Sequence, residues 1–216
     1  MPISEAVASI ERDLREIFGD RLQSVVAYET ADRSPGSPQP TLVVVAAMTP
    51  ADLRACAGRV AVWHEAGLAT PLILESPEFA RSLDAFPFEF GAILADHVIV
   101  SGRNPFEGLH VDPADVRRAC EVQARSHLLH LREGYIETQG RSDAVADLIA
   151  RSAAPLSALL KSVARLNGGG PVDSVLAEVV ALNGKALSSD IARRLFPEYL
   201  SAVEHLTNEI DRWGQR

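Results

Sequence analysis

The first 112 residues of this 216-residue sequence contain no lysine. They carry 8 arginines against 16 aspartates and glutamates, while residues 113–216 balance at 13 acids and 13 bases, so the whole formal charge of −8 belongs to the first half. Polynucleotide binding relies on Lys and Arg that displace counterions from phosphates, and a lysine-free acidic half is poorly equipped for it. Cysteine is scarce as well: Cys56 and Cys120 stand far apart with no histidine at ligand spacing. That argues against a disulfide framework and for free thiols in a cytoplasmic setting. No apolar run approaches the roughly 18 residues of a membrane span. The opening "MPISEAVASIERDLREIFG" has neither the basic start nor the apolar core of a signal peptide. A P-loop is missing too, because "NGGGP" lacks its Lys and Ser/Thr and follows a helical pattern, and Ser101 has no Gly-x-Ser-x-Gly around it.

What is present changes character near residue 112. In the first half, Ile10, Leu14, Ile17 and Phe18 share one helical face, with Gly19 as its stop. "LQSVVAY" and "TLVVVAAM" read as buried strands, followed by a helix over 49–67 with Thr49 as N-cap and Pro50 in its first turn. "PLILE" is a short strand, "SPEFARSL" a brief helix capped by Ser76, and "AFPFEFGAI" and "HVIVSG" complete the strands. The order α-β-β-α-β-α-β-β is too irregular for a Rossmann repeat and lacks its Gly-rich turn. From Asp112-Pro113 onward every stretch is helical: one long segment, a second kinked at Pro155, a third, a short fourth and a last one opening at Pro197. The expectation is an α+β protein, a small mixed sheet over residues 1–112 followed by an all-α helical bundle over 113–216. The bundle's apolar stripes leave room for a homodimer.

This order of motifs, "LREIFGDRLQSVVAY", the buried "LVVV", "SLDAFPFEF", "HVIVSG" and then "LLHLREGYIE", resembles the polymerase-β-like nucleotidyltransferase superfamily in its small form, and the resemblance covers nearly the whole chain. Antibiotic nucleotidyltransferases and many bacterial proteins are similar to it. In that family the first strand ends in a Gly-Ser pair, an Asp-x-Asp pair leads into the second strand, and a later strand supplies a third carboxylate. Carboxylates two apart on a strand point to one face and can hold a pair of magnesium ions, whose hard octahedral geometry takes oxygen ligands. The glycine lets the backbone approach the triphosphate, and the serine hydroxyl binds a phosphate oxygen.

Laid on this sequence, the resemblance puts Glu29 at the glycine position and Thr30 at the serine, with Ala31 and Arg33 matching. Pro38 and Pro40 fall at the two aspartates. A proline side chain cannot ligate a metal, Glu29 would oppose an incoming triphosphate, and residues 33–48 contain no Asp or Glu to which the frame could slide. Asp84 and Glu89 remain in the third-carboxylate region; Glu89, inside an apolar strand pattern, is either a surviving metal ligand or an edge residue reaching solvent or an arginine. Arg125 and His130 resemble the Arg-x4-His motif of HEPN-type ribonucleases, but five residues apart they do not share a helical face. His64 and His110 are isolated.

The expectation is thus a nucleotidyltransferase-like protein that has lost polymerase-β-type chemistry. It would act by binding a small molecule in the inter-domain cleft or a protein partner. An acidic cleft would suit a cation such as an aminoglycoside. One alternative is an enzyme with a metal site rebuilt from Glu29, Asp32, Asp84 or Glu89. It would use Mg2+ and a nucleoside triphosphate to modify a small molecule. The other alternative is an oligomeric helical interaction protein with a vestigial sheet.

Overall fold

The computed structural model describes residues 5–29, 36–169, 172–183 and 185–213. These divide into two units, one running up to Val111 and one from Asp112 onward.

The first unit opens with α1 (Glu5–Phe18), whose apolar residues Val7, Ile10, Leu14 and Phe18 fall on one buried face. A single 3-10 turn at Gly19–Arg21, with Gly19 at φ +55°, swings the chain into β1 (Leu22–Tyr28). Then come β2 (Thr41–Val45), α2 (Pro50–Ala57), α3 (Val60–Glu65), β3 (Leu72–Glu75), α4 (Ser76–Ala85), α5 (Pro87–Ala95) and β4 (His97–Gly102). The sheet order is β3-β2-β1-β4: β1 pairs antiparallel with β2 (Val25 opposite Val43) and with β4 (Tyr28 opposite His97), while β3 runs parallel to β2. All five residues of β2 are buried.

Alternate residues supply the two faces of this sheet. Val25, Ala27, Val43 and Val45 pack with α1 and with Trp63 and Leu68. Val26, Leu42, Val44 and Leu74 pack with Phe79, Leu83, Phe90, Ile93 and Phe106. The sheet is therefore covered by helices on both sides, as its near-continuous apolar strands require. Beside a bulge in β4, where Val100 is the extra residue, β1 lies so close to the end of β4 that a Cβ at Gly102 (φ +82°) would overlap the Gln23 carbonyl.

Four sequence expectations for the elements need correction. Ser76, expected as the cap of the helix after β3, is the first residue of α4, and Glu75 is the N-cap. The stretch expected as one helix over 49–67 is two, because the chain turns at Gly58–Arg59. "AFPFEFGAI", expected as a strand, is helix α5: Pro87 pre-sets its first turn, and Phe90 and Ile93, one helical step apart, enter the core. The Phe86-x-Phe88-x-Phe90 alternation imitates a strand over too few residues to decide the matter. In the second unit the two expected last helices are one, α9, which runs straight through Pro197. Proline removes the donor for the Arg193 carbonyl, but Arg193 and Pro197 both lie on the exposed side, where water replaces it.

That unit contains α6 (Pro113–Glu137), α7 (Ser142–Asn167), α8 (Ser174–Ala181) and α9 (Ser189–Trp213). The three long helices pack against one another, and α8 packs against α7 and α9. Asp112 caps α6 through a 2.8 Å bond from the Ala114 N–H. Cys120, Ala124 and Leu131 of α6 are buried along with Ile149, Leu156 and Leu159 of α7 and Tyr199, Val203 and Ile210 of α9. Gly134 admits Leu148, whose Cδ1 lies 2.6 Å from where a Cβ would stand. The ion pairs Arg125–Asp211 and Arg132–Glu204 link α6 to α9, but all four side chains are more than two-fifths exposed. Pairs so open contribute about 0–1 kcal/mol each, so the apolar core holds the bundle.

One polar cluster in the first unit is less exposed. Asp52 accepts from both Arg21 guanidinium nitrogens (2.6 and 2.8 Å) and from the Thr49 N–H and hydroxyl (both 2.8 Å). It closes a capping box on α2 and ties that helix to the 3-10 turn before β1. The Arg21 and Thr49 bonds hold its carboxyl far below the usual carboxylate range. Asp52→Asn should therefore lower the thermal midpoint at neutral pH. The gap to the wild-type protein should narrow below about pH 4, where the unfolded carboxyl protonates while the folded one stays charged. A gap that stayed constant with pH would mean Asp52 acts by packing alone.

Candidate functional site

The end of the sheet where β1 finishes and β2 begins is the place to which the family resemblance assigns the metal pair. Gln39 dominates it. Its N–H donates to the Gly67 carbonyl (2.8 Å), and its own carbonyl accepts from the Ala69 N–H (2.9 Å). These bonds make a parallel bridge to Leu68 that prolongs the β2 pairing. The buried side-chain amide donates to the Tyr28 carbonyl (2.7 Å) and the Pro40 carbonyl (3.2 Å). Pro38 and Pro40 flank it in phase with Leu42 and Val44 along the strand. A carboxylate pair there would stand on one face; the prolines provide neither a side-chain oxygen nor an N–H. Sequence reasoning passed over Gln39, although a lone amide between two prolines beside a buried strand is a signal of a backbone tie.

The other candidates do not complete a metal site. Glu29 follows β1 and its N–H donates to the Asp96 carbonyl (3.2 Å). Thr30 and Arg33 lie outside the described residues. Asp84 is exposed near the C-terminal end of α4, and Glu89 is exposed in the first turn of α5. Neither carboxylate makes a hydrogen bond or ion pair among the described residues. An acid in a first helical turn has a structural reason, since it faces the positive end of the helix dipole and contributes about 0.3–1 kcal/mol. Among the described residues, no three His, Cys, Asp or Glu side chains converge as a metal site would require. The described side chains do not fit a two-magnesium centre, and Asp32 lies outside the described residues. Nearby, His97 sits against Phe106 (centroids 4.5 Å apart) with Nδ1 near the Ile93 carbonyl (3.1 Å), and burial pushes the Tyr28 phenol up.

A second location lies wholly within the helical unit. A cavity of about 250 Å³ opens between α6 and α7, lined by Ser126, His127 and His130 on one side and Leu148, Arg151 and Ser152 on the other. Ser152 Oγ donates to the Ile149 carbonyl (2.8 Å), so its oxygen accepts from the Tyr199 hydroxyl (3.0 Å). Tyr199 Oη in turn lies 2.6 Å from His127 Nε2, which the direction of this chain makes the N–H donor. Burial lowers the His127 pKa to about 4 and raises that of Tyr199, so both are neutral near pH 7. Arg151 has no hydrogen-bond or ion-pair partner among the described residues, and no carboxylate lines the cavity. At position 155, a proline in this wall has no N–H to give the Arg151 carbonyl. The sequence pattern had singled out Arg125 and His130 instead. Arg125 is held by Asp211 (2.8 Å) and Glu121 (3.3 Å), whereas His130 lines the cavity beside Glu133 (3.4 Å), so the two are not brought together.

No family model and no curated protein matches this sequence. Among solved structures, the spectinomycin adenyltransferase AAD(9) from Enterococcus faecialis, determined with ATP and spectinomycin, superposes with a TM-score of 0.52 at 12% identity, covering 93% of this chain and 98% of that one. Identity so low speaks for the architecture alone. The small mixed sheet followed by helices is the α+β fold of the polymerase-β-like nucleotidyltransferases.

Proposed function

We propose that this protein is a nucleotidyltransferase-like protein that has given up nucleotidyl transfer and acts by binding. The observation that carries the proposal is Gln39, bonded through both backbone and side chain, with Pro38 and Pro40 on either side in place of a metal-binding pair. Two-metal phosphoryl chemistry needs carboxylates that converge, and Asp84 and Glu89 stand exposed and unpaired on separate helices. The cavity beside Arg151 is the seat for a small ligand. Its lining bears a guanidinium and no acid, which suits an anionic group with an apolar body packed on Leu148 and Leu131 and not an aminoglycoside-like cation. His127 adds hydrogen bonding there without adding charge.

ATP and spectinomycin, the ligands of the neighbour, are the first probes. No adenylyl transfer to spectinomycin is expected, and any ATP-induced rise in the thermal midpoint should be the same with and without Mg2+. It should disappear in Arg151→Gln. Tight, magnesium-dependent ATP binding that Glu89→Ala abolishes would sink the proposal.

The state of His127 is testable separately. Its folded pKa lies below the unfolded value of about 6.5, so the unfolded chain binds the extra proton as pH falls from there to about 4, and stability falls with it by of the order of 3 kcal/mol. Urea unfolding across that range should show a shallower slope in His127→Gln. An unchanged slope would place the lost stability at other groups.

A further inference from the structure

Four of the ten large apolar side chains that stand exposed among the described residues are on α6. One of them, Tyr135, is stacked on Phe196 with ring centroids 4.5 Å apart. The other three, Val122 (61% exposed), Leu129 (55%) and Ile136 (73%), recur at intervals of seven. Seven residues fall about 20° short of two helical turns, so the three form one narrow stripe with a slight slant. That is the seam of a two-helix, left-handed packing at a crossing angle of about 20°. Nothing among the described residues covers it.

The flanks of the stripe differ in charge. At about 100° per residue, Arg118, Arg125 and Arg132 fall on one side of the stripe and Ser126 and Glu133 on the other, while Asp115, seven before Val122, continues the stripe and is held by Arg118 (3.3 Å). Asp211 and Glu204 of α9 hold Arg125 and Arg132 in place on the first flank. A second α6 laid antiparallel across the seam would set arginine flank against arginine flank. Laid parallel about a two-fold axis, it sets Arg132 beside the partner's Glu133, a pairing that occurs twice. Val122, Leu129 and Ile136 then each meet their own copy.

We infer that α6 is a homodimerisation surface, pairing with a second copy of this chain in parallel through Val122, Leu129 and Ile136. The contact is isologous and, limited to one helix from each copy, lies at the small end of stable interfaces, so the dimer dissociates on dilution. This inference is independent of what the cavity binds.

Sedimentation equilibrium should show a monomer–dimer equilibrium that Leu129→Glu shifts to monomer, with circular dichroism unchanged because Leu129 is exposed. Under mild oxidation Val122→Cys and Ile136→Cys should each link to themselves; Cys56 and Cys120 are buried and free and do not compete. An antiparallel pair would instead link Val122→Cys only to Ile136→Cys in a mixture. A monomer at every concentration, an unaltered equilibrium in Leu129→Glu, or that mixed-only linkage would overturn the inference.

Discussion

Strand β2 has no exposed side chain, and much of the first unit follows from that constraint. A strand buried on both faces needs a neighbour on each edge and a helical layer on each side. Here β1 and β3 supply the edges. Helix α1 with Trp63 covers one face, and α4 and α5 with Phe106 cover the other. The polar ties are placed where the apolar layers end. Arg21–Asp52 fixes the start of α2, and Asp13 accepts from Trp63 Nε1 (2.8 Å) and Arg59 (2.6 Å) to lock α1 onto α3. With so much settled by burial, the chain beside β2 could change its chemistry without losing its path. Gln39 shows how: its backbone and side-chain amide are both bonded to backbone groups, and the strand pairing runs on through it.

The two units use polarity differently. In the sheet unit the buried Ser24, Gln39 and Ser82 side chains donate to backbone carbonyls, whereas the helical unit holds an ordered chain from His127 through Tyr199 and Ser152 to the Ile149 carbonyl. A hydrogen-bonded chain in a medium of low polarity fixes rotamers and tautomer together. It gives one wall of the α6–α7 cavity a set shape before any ligand arrives, which reduces the ordering cost of binding.

The sequence made much of this architecture legible. Asp112-Pro113, Thr49-Pro50 and the stripe Ile10-Leu14-Phe18 each carry a local signal strong enough to stand without tertiary help. The α5 segment does not, because its phenylalanines satisfy a two-residue and a helical period at once and only the packing of Phe90 and Ile93 decides. Pro197 misled for a related reason: whether proline ends a helix depends on whether its freed carbonyl reaches water, which requires knowing the exposed face. The departures at positions 38 and 40 were plain from residue type. The cavity was invisible, since His127, Arg151 and Tyr199 come from three helices and no spacing along the chain joins them.

The proline pair at the head of β2 has a consequence for how the fold stands on its own. Two carboxylates two residues apart on one face repel each other, and a protein that carries them relies on bound cations to relax that repulsion. Pro38 and Pro40 carry no charge and restrict the backbone, which lowers the entropy lost when this segment orders. The strand end is thus held by a restricted backbone together with the Gln39 hydrogen bonds.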